Sequence, residues 1–257
     1  MMIATLFLPV IAAATAASAP APAIDAKLDE CMHLAASDPI AAQDAARAWL
    51  DESKEDNTTK AKALQCLGVA MANSGAWDDA ETTFLQARDL TATSDLVARA
   101  RLAAMAGNTA LADGRATAAL HALDMAKADA ATIGDPMLTS GIEIDRARAM
   151  VGASDMDGAA VALASAREAN PADWEAWLFS ATLARRQGKL VEAQGFIEKA
   201  ADLRPVDLTV GLEAGVIAAL AGHADAARKS WQSVIDAKPK SREAEAARAY
   251  IAELDKP

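Results

Sequence analysis

Pro171, Pro205 and Pro239 stand 34 residues apart, and the residues around them return in the same phase. Gly188 and Gly222 keep that interval, as do Ala193 and Ala227, and Ala181 and Gly215. A period of this length is what stacked helix–turn–helix units produce, since one unit cannot bury its apolar face without a neighbour. A chain built so presents a curved surface for holding another molecule and reserves no pocket for chemistry.

The pattern extends backwards along the chain. An alanine recurs as Ala45, Ala80, Ala119, Ala159, Ala193 and Ala227, with intervals of 35, 39, 40, 34 and 34 residues. Four positions later stands a larger apolar side chain: Trp49, Phe84, Leu123, Leu163, Ile197 or Trp231. Three further on come Ala87, Ala126, Ala166, Ala200 and Val234, with Glu52 as the exception. Twelve before each alanine is a small residue (Gly68, Gly107, Ala147, Ala181 or Gly215), with His33 as the exception. The small residues are expected where two paired helices touch, because overpacking there typically costs about 1–3 kcal/mol. The bulky residue, on the same face of the second helix, is expected to fill space towards the next unit. The long middle intervals place extra residues in helices or turns around Thr91–Asp95 and Ala131–Asp135.

Composition agrees with helices. Hydrophobic residues make up 53% of the chain, alanine foremost, and aromatic residues only 4%. Alanine loses no side-chain entropy in a helix and lets helices approach closely, whereas a sheet favours β-branched and aromatic residues. The turn glycines Gly75, Gly114, Gly188 and Gly222 suit left-handed helix ends. The three spaced prolines close second helices, because proline cannot continue one.

These positions resemble the tetratricopeptide repeat. The fifth unit carries Trp177, Ala181, Gly188, Ala193, Ile197, Ala200 and Pro205 at that family's spacing. The second carries Leu67-Gly68, Gly75, Ala80, Phe84 and Ala87. The resemblance spans residues 26–240, with units near 26–57, 61–94, 100–135, 140–173, 174–207 and 208–240. It implies an all-α, right-handed superhelical solenoid of about six units. Residues 241–257 follow as a capping helix, with an apolar stripe of Ala244, Ala247, Ile251 and Leu254.

The resemblance further implies that the first helix of each unit lines a concave groove. The positions facing it include Arg101, Asn108, Ile144, Arg148, Leu178, Arg185, Arg186, Leu212, Val216 and Leu220. Arg148, Arg185 and Arg186 offer guanidinium forks to a carboxylate unless acidic neighbours take them first. The apolar stretch Leu178, Leu212, Val216 and Leu220 lies beside them. The implied partner is therefore a protein or peptide segment of acidic and hydrophobic character. Family members that clamp chaperone C-termini use lysine and asparagine; Asn108 matches one element, but Ala104 stands in place of the lysine, so that activity is not carried over.

Residues 1–23 hold no charged side chain, and Ile3 to Ala13 is strongly apolar before a run of small residues. This has the form of a secretory signal peptide with cleavage between residues 16 and 23. Export to the periplasm is the expectation, with an uncleaved membrane anchor as the alternative. Once the signal is removed no membrane insertion is expected. The only cysteines, Cys31 and Cys66, are 35 residues apart, about one unit. An exported protein favours a disulfide, while helix axes about 8–10 Å apart favour two buried thiols. Both arrangements stay open.

The net charge of −11, from 36 acidic and 25 basic residues, disfavours nucleic acid, whose phosphates require clustered cations. His33, His121 and His223 fall at three different phases, unlike metal ligands. No phosphate loop, nucleophile elbow or zinc-protease helix is present. No catalytic residue, metal or cofactor is read from the chain. Trp49, Trp177 and Trp231 are expected as core wedges rather than an aromatic cage, with Trp77 and Trp174 partly exposed at helix starts. The function expected is a non-catalytic protein-interaction adaptor of the bacterial cell envelope. The alternative is a self-associating structural scaffold, so the oligomeric state is left open.

Overall fold

Aspartate opens helix after helix. The computed structural model describes residues 23–54 and 56–255, and among these the chain forms thirteen α-helices and no strand. They are α1 (Ala23–Ser37), α2 (Pro39–Glu52), α3 (Asn57–Asn73), α4 (Trp77–Leu90), α5 (Leu96–Ala112), α6 (Ala116–Ala130) and α7 (Pro136–Gly152). There follow α8 (Met156–Ala169), α9 (Trp174–Arg186), α10 (Leu190–Leu203), α11 (Leu208–Leu220), α12 (Ala224–Ala237) and α13 (Arg242–Leu254). Asp56, Asp95, Asp135, Asp173 and Asp207 cap α3, α5, α7, α9 and α11, each carboxylate accepting from a backbone N–H of the first turn. Asp38, Asp155 and Ser241 do the same for α2, α8 and α13. Each such cap contributes about 1 kcal/mol. Part of the chain's acid excess is therefore structural. The expected signal peptide lies outside the described residues, apart from Ala23 at the start of α1.

Turns within units use the left-handed backbone. Gly75, Gly114, Gly188 and Gly222 have φ of 84°, 72°, 73° and 80°, and Ser154 takes the matching place between α7 and α8 with φ 65°. The helices α8, α10 and α12 each stop two residues before Pro171, Pro205 and Pro239. The long middle intervals are mostly helix: α5 and α7 have 17 residues where α9 and α11 have 13. One added turn of helix thus accounts for most of the excess, and the linkers 91–95 and 131–135 for little.

Each odd-numbered helix pairs with the even-numbered helix after it, and each even-numbered helix also packs on the next odd one. Odd-numbered helices meet one another across units as well: α1 with α3, α5 with α7, α7 with α9, α9 with α11, and α11 with α13. They form the inner layer, and the even-numbered helices the outer. Buried alanines fill the seams: Ala80, Ala119, Ala159, Ala193 and Ala227 are within 2% of fully enclosed. Phe84, Leu123, Leu163 and Ile197 are the largest fully buried side chains of the second helices.

The bulky residue packs towards the next unit as expected, since Phe84 clusters with Leu102, Leu163 with Leu183, and Ile197 with Val210 and Ile217, and it also seats on its own hairpin. Phe84 lies on Gly68 of its own unit, Leu123 on Gly107 and Trp231 on Gly215, each pair 16 residues apart. The glycine removes the Cβ that the large side chain would otherwise strike, so small and large residues interlock within one hairpin. Trp231 also donates its indole N–H to the Leu212 carbonyl at 3.1 Å. Trp49 and Trp231 are buried. Trp177 departs from the expected core position: it is half-buried, donates to the Pro171 carbonyl and meets Phe196 at a tilt, with ring centroids 6.1 Å apart.

Cys31 of α1 and Cys66 of α3 are joined in a disulfide, with Cα atoms 6.0 Å apart. Two neighbouring inner-layer helices approach closely enough here because alanines flank the contact: Ala35, Ala63 and Ala70 are fully buried. At the other end α13 lays Ala244 and Ala247 against α11 and α12. Its charged face, with Arg242, Glu245 and Arg248, is exposed.

Candidate functional site: a groove along the inner helices

The inner layer opens into a groove over its C-terminal half. One cavity of about 200 Å³ lies between α7 and α9, lined by Ala147, Arg148, Val151, Leu163, Phe179, Thr182, Leu183 and Arg186. A second, of about 270 Å³, lies among α9, α11 and α13, with Leu178, Arg185, Thr209, Leu212, Glu213, Val216 and Tyr250 in its walls. Phe179 and Thr182 line both, so the two cavities adjoin at α9. The walls are mainly apolar, and polar groups stand at their margins.

Six of the residues expected in a groove meet here: Arg148, Leu178, Arg185, Arg186, Leu212 and Val216. Leu178 is 6% exposed and serves as floor rather than as an open contact. Ile144 is not available to a ligand. It is 5% exposed, packed with Ala147, Ala159 and Leu163, because the face of α7 that carries it turns towards α8. Arg101 and Asn108 are exposed on α5, beyond the groove. Leu220 is 56% exposed at the end of α11, outside both cavities.

The arginines divide. Arg185 donates from Nε and Nη2 to both carboxylate oxygens of Glu213, at 2.6 and 3.4 Å. Arg148 donates to Asp145 at 2.8 Å, and Asp145 also accepts from Asn108 at 2.7 Å. Arg186 alone of the three has no ion pair or hydrogen bond with another side chain among the described residues. The guanidinium available to an incoming carboxylate is therefore that of Arg186.

Three contributors escaped the sequence reading. Phe179 follows the expected Leu178, and with Thr182 and Arg186 it forms the i, i+3, i+7 face of α9 that fronts the groove. Glu213 lies 28 residues from Arg185 and so gives no local signal. Tyr250 comes from the capping helix, where it packs on Trp231 with ring centroids 5.3 Å apart and closes the groove's end.

Acidic groups gather around Arg148 near the groove. Burial pushes the Glu175 carboxyl above the usual range; Asp173, Asp145 and Asp207 push it the same way, and Arg148 opposes them. Elsewhere the buried Glu143 is held by Lys127 and Arg146, each at 2.7 Å. Among the described residues no three His, Cys, Asp or Glu side chains converge as metal ligands would. No helix there is long and apolar enough to cross a membrane.

No protein-family model matches the chain, and no curated protein does. Solved structures do. The type IV pilus biogenesis factor PilW is similar over 88% of this chain and 98% of its own, with TM-score 0.69 and 18% identity. PilF of Pseudomonas aeruginosa is similar over 88% and 99%, with TM-score 0.64 and 16% identity. YrrB, a tetratricopeptide repeat protein described as having an unusual peptide-binding site, is similar over 79% and 99%, with TM-score 0.54 and 19% identity. At such identities the likeness is one of fold. The chain is an all-α helical-repeat solenoid of the tetratricopeptide repeat type.

Proposed function

We propose that this chain is a non-catalytic adaptor that holds a segment of another protein in the groove along α7, α9, α11 and α13. The observation that carries the reading is a pair of adjoining apolar cavities beside one guanidinium, Arg186, that no carboxylate among the described residues occupies. A segment with apolar side chains and a carboxylate matches that surface. The fold likeness to YrrB, described by its peptide-binding site, and to the pilus biogenesis factor PilW supports a binding role.

We place the adaptor in the bacterial cell envelope, after removal of an N-terminal signal. The uncharged apolar stretch before Ala23 and the joined cysteines favour an oxidising compartment.

A photo-reactive residue at Phe179 tests the groove in cells, with one at the exposed Val161 of α8 as control. The expected result is a crosslink to a different protein from position 179 and none from 161, weakened about tenfold by Arg186→Glu. Crosslinks only to a second copy of the chain would replace the adaptor by a self-associating scaffold. Fractionation with mass analysis of the N-terminus tests export, and an intact N-terminus would overturn cleavage.

A further inference from the structure

Most arginines that packing covers are met by a carboxylate. Arg88 and Arg99 share Asp129, Arg146 lies on Glu143 and Asp124, and Arg185 on Glu213. Arg167, in the last turn of α8, differs. Its guanidinium lies 4.5 Å from the ring centroid of Phe196 and 5.3 Å from that of Trp177. Its Nη1 donates to the buried Ser180 hydroxyl, which in turn donates to the Ala176 carbonyl at 2.7 Å. Among the described residues no carboxylate stands within ion-pair distance of it. Burial holds its pKa below the usual arginine value, yet arginine stays charged in proteins.

Arg167 lines a cavity of about 130 Å³ in the outer layer, between α8 and α10 and above α9, with Ser180, Gln187, Lys189, Glu192 and Phe196. The groove lies on the other side of the wall: Leu163 and Leu183 line both spaces. The two aromatic rings fix the plane of the guanidinium without using its N–H edges. Arg167 is half-buried and lines the cavity, and the bond from Nη1 to Ser180 is its one side-chain hydrogen bond among the described residues. The exposed Lys189 places a second cation on the rim, and Glu192 is the one acidic residue among those lining the cavity.

We propose that this outer-layer cavity binds a carboxylate, with the edge of the Arg167 guanidinium as its receptor and Lys189 assisting from the rim. A guanidinium edge matches the two oxygens of a carboxylate. Glu192 disfavours a doubly charged anion such as phosphate by like-charge repulsion. The site is independent of the groove reading and gives the molecule a second contact on its opposite face.

The test follows the Arg167 side-chain Nε–Hε resonance of the ¹⁵N-labelled full chain, assigned by its disappearance in Arg167→Gln. The probes are acetate, a blocked tripeptide with one internal glutamate, its glutamine counterpart, a tripeptide with a free C-terminal carboxylate, and inorganic phosphate. The expected result is a saturable shift with acetate and with one or both carboxylate peptides, and none with the glutamine peptide. Which peptide binds distinguishes an acidic side chain from a chain terminus as the source. The exposed Lys189→Gln variant should bind about two- to fivefold more weakly with the fold intact. A resonance unmoved by every carboxylate, an equal response to the glutamine peptide, or tighter binding of phosphate would overturn the proposal.

Discussion

A Cβ placed on Gly68 would stand 2.7 Å from Phe84 Cε1, inside any real carbon–carbon contact. The same interlock recurs at Gly107 with Leu123 and at Gly215 with Trp231. It explains why small and large residues keep a fixed spacing of 16 across unequal units.

Gly68→Ala should therefore destabilise the chain by about 1–3 kcal/mol, because an enclosed ring has no free space into which to move. Gly141→Ala is the contrast. Gly141 lies inside α7, and its Cβ would meet nothing within 4 Å, so gaining helix propensity should stabilise by about 0.5–1 kcal/mol. Urea unfolding of both variants checks the opposite signs.

Ser154 holds φ at 65° where the matching turns use glycine. A side chain in that conformation costs roughly 1 kcal/mol, so Ser154→Gly should raise stability by about that amount. Thermal unfolding by circular dichroism reads the shift, and a lower melting temperature would contradict the argument.

The Cys31–Cys66 bridge closes a loop of 35 residues that holds α1, α2 and α3 together. Replacing both cysteines by serine should destabilise the N-terminal unit by about 2–4 kcal/mol. Hydrogen exchange should then speed up in α1 and α2 while α9 to α13 keep their protection, since each unit contacts only its neighbours.

The raised Glu175 carboxyl makes stability depend on pH in a stated direction. The folded chain binds this proton more tightly than the unfolded chain, so stability falls as pH rises from the usual carboxylate range through the higher folded value. Glu175→Gln should thus be more stable than the parent at about pH 7 and show no difference at about pH 3. Denaturant unfolding at both pH values measures this, and a variant less stable at neutral pH would refute it.

Helices, turn glycines and terminating prolines were legible because they are local. Pro171, Pro205 and Pro239 stop a helix whatever surrounds them, and Gly75 favours its turn by its own backbone freedom. The groove was legible in part. Arg148, Arg186, Leu212 and Val216 follow from repeat phase, since equivalent positions face the same way. Ile144 obeyed the same phase and is nonetheless buried, as is its equivalent Leu178, because that face of the first helix packs on the second helix of its unit.

The chain's own periodicity, then, settled that alanine-lined hairpins must stack, since no hairpin encloses its apolar face unaided. Only the folded arrangement decided which charges remain available, because pairing joins residues far apart in sequence. Glu213 takes Arg185 from 28 positions away while Arg186 stays open. Tyr250 reaches the groove only because α13 docks on α11. Arg167 meets Trp177 and Phe196 from two other helices, with no carboxylate among the described residues at ion-pair distance.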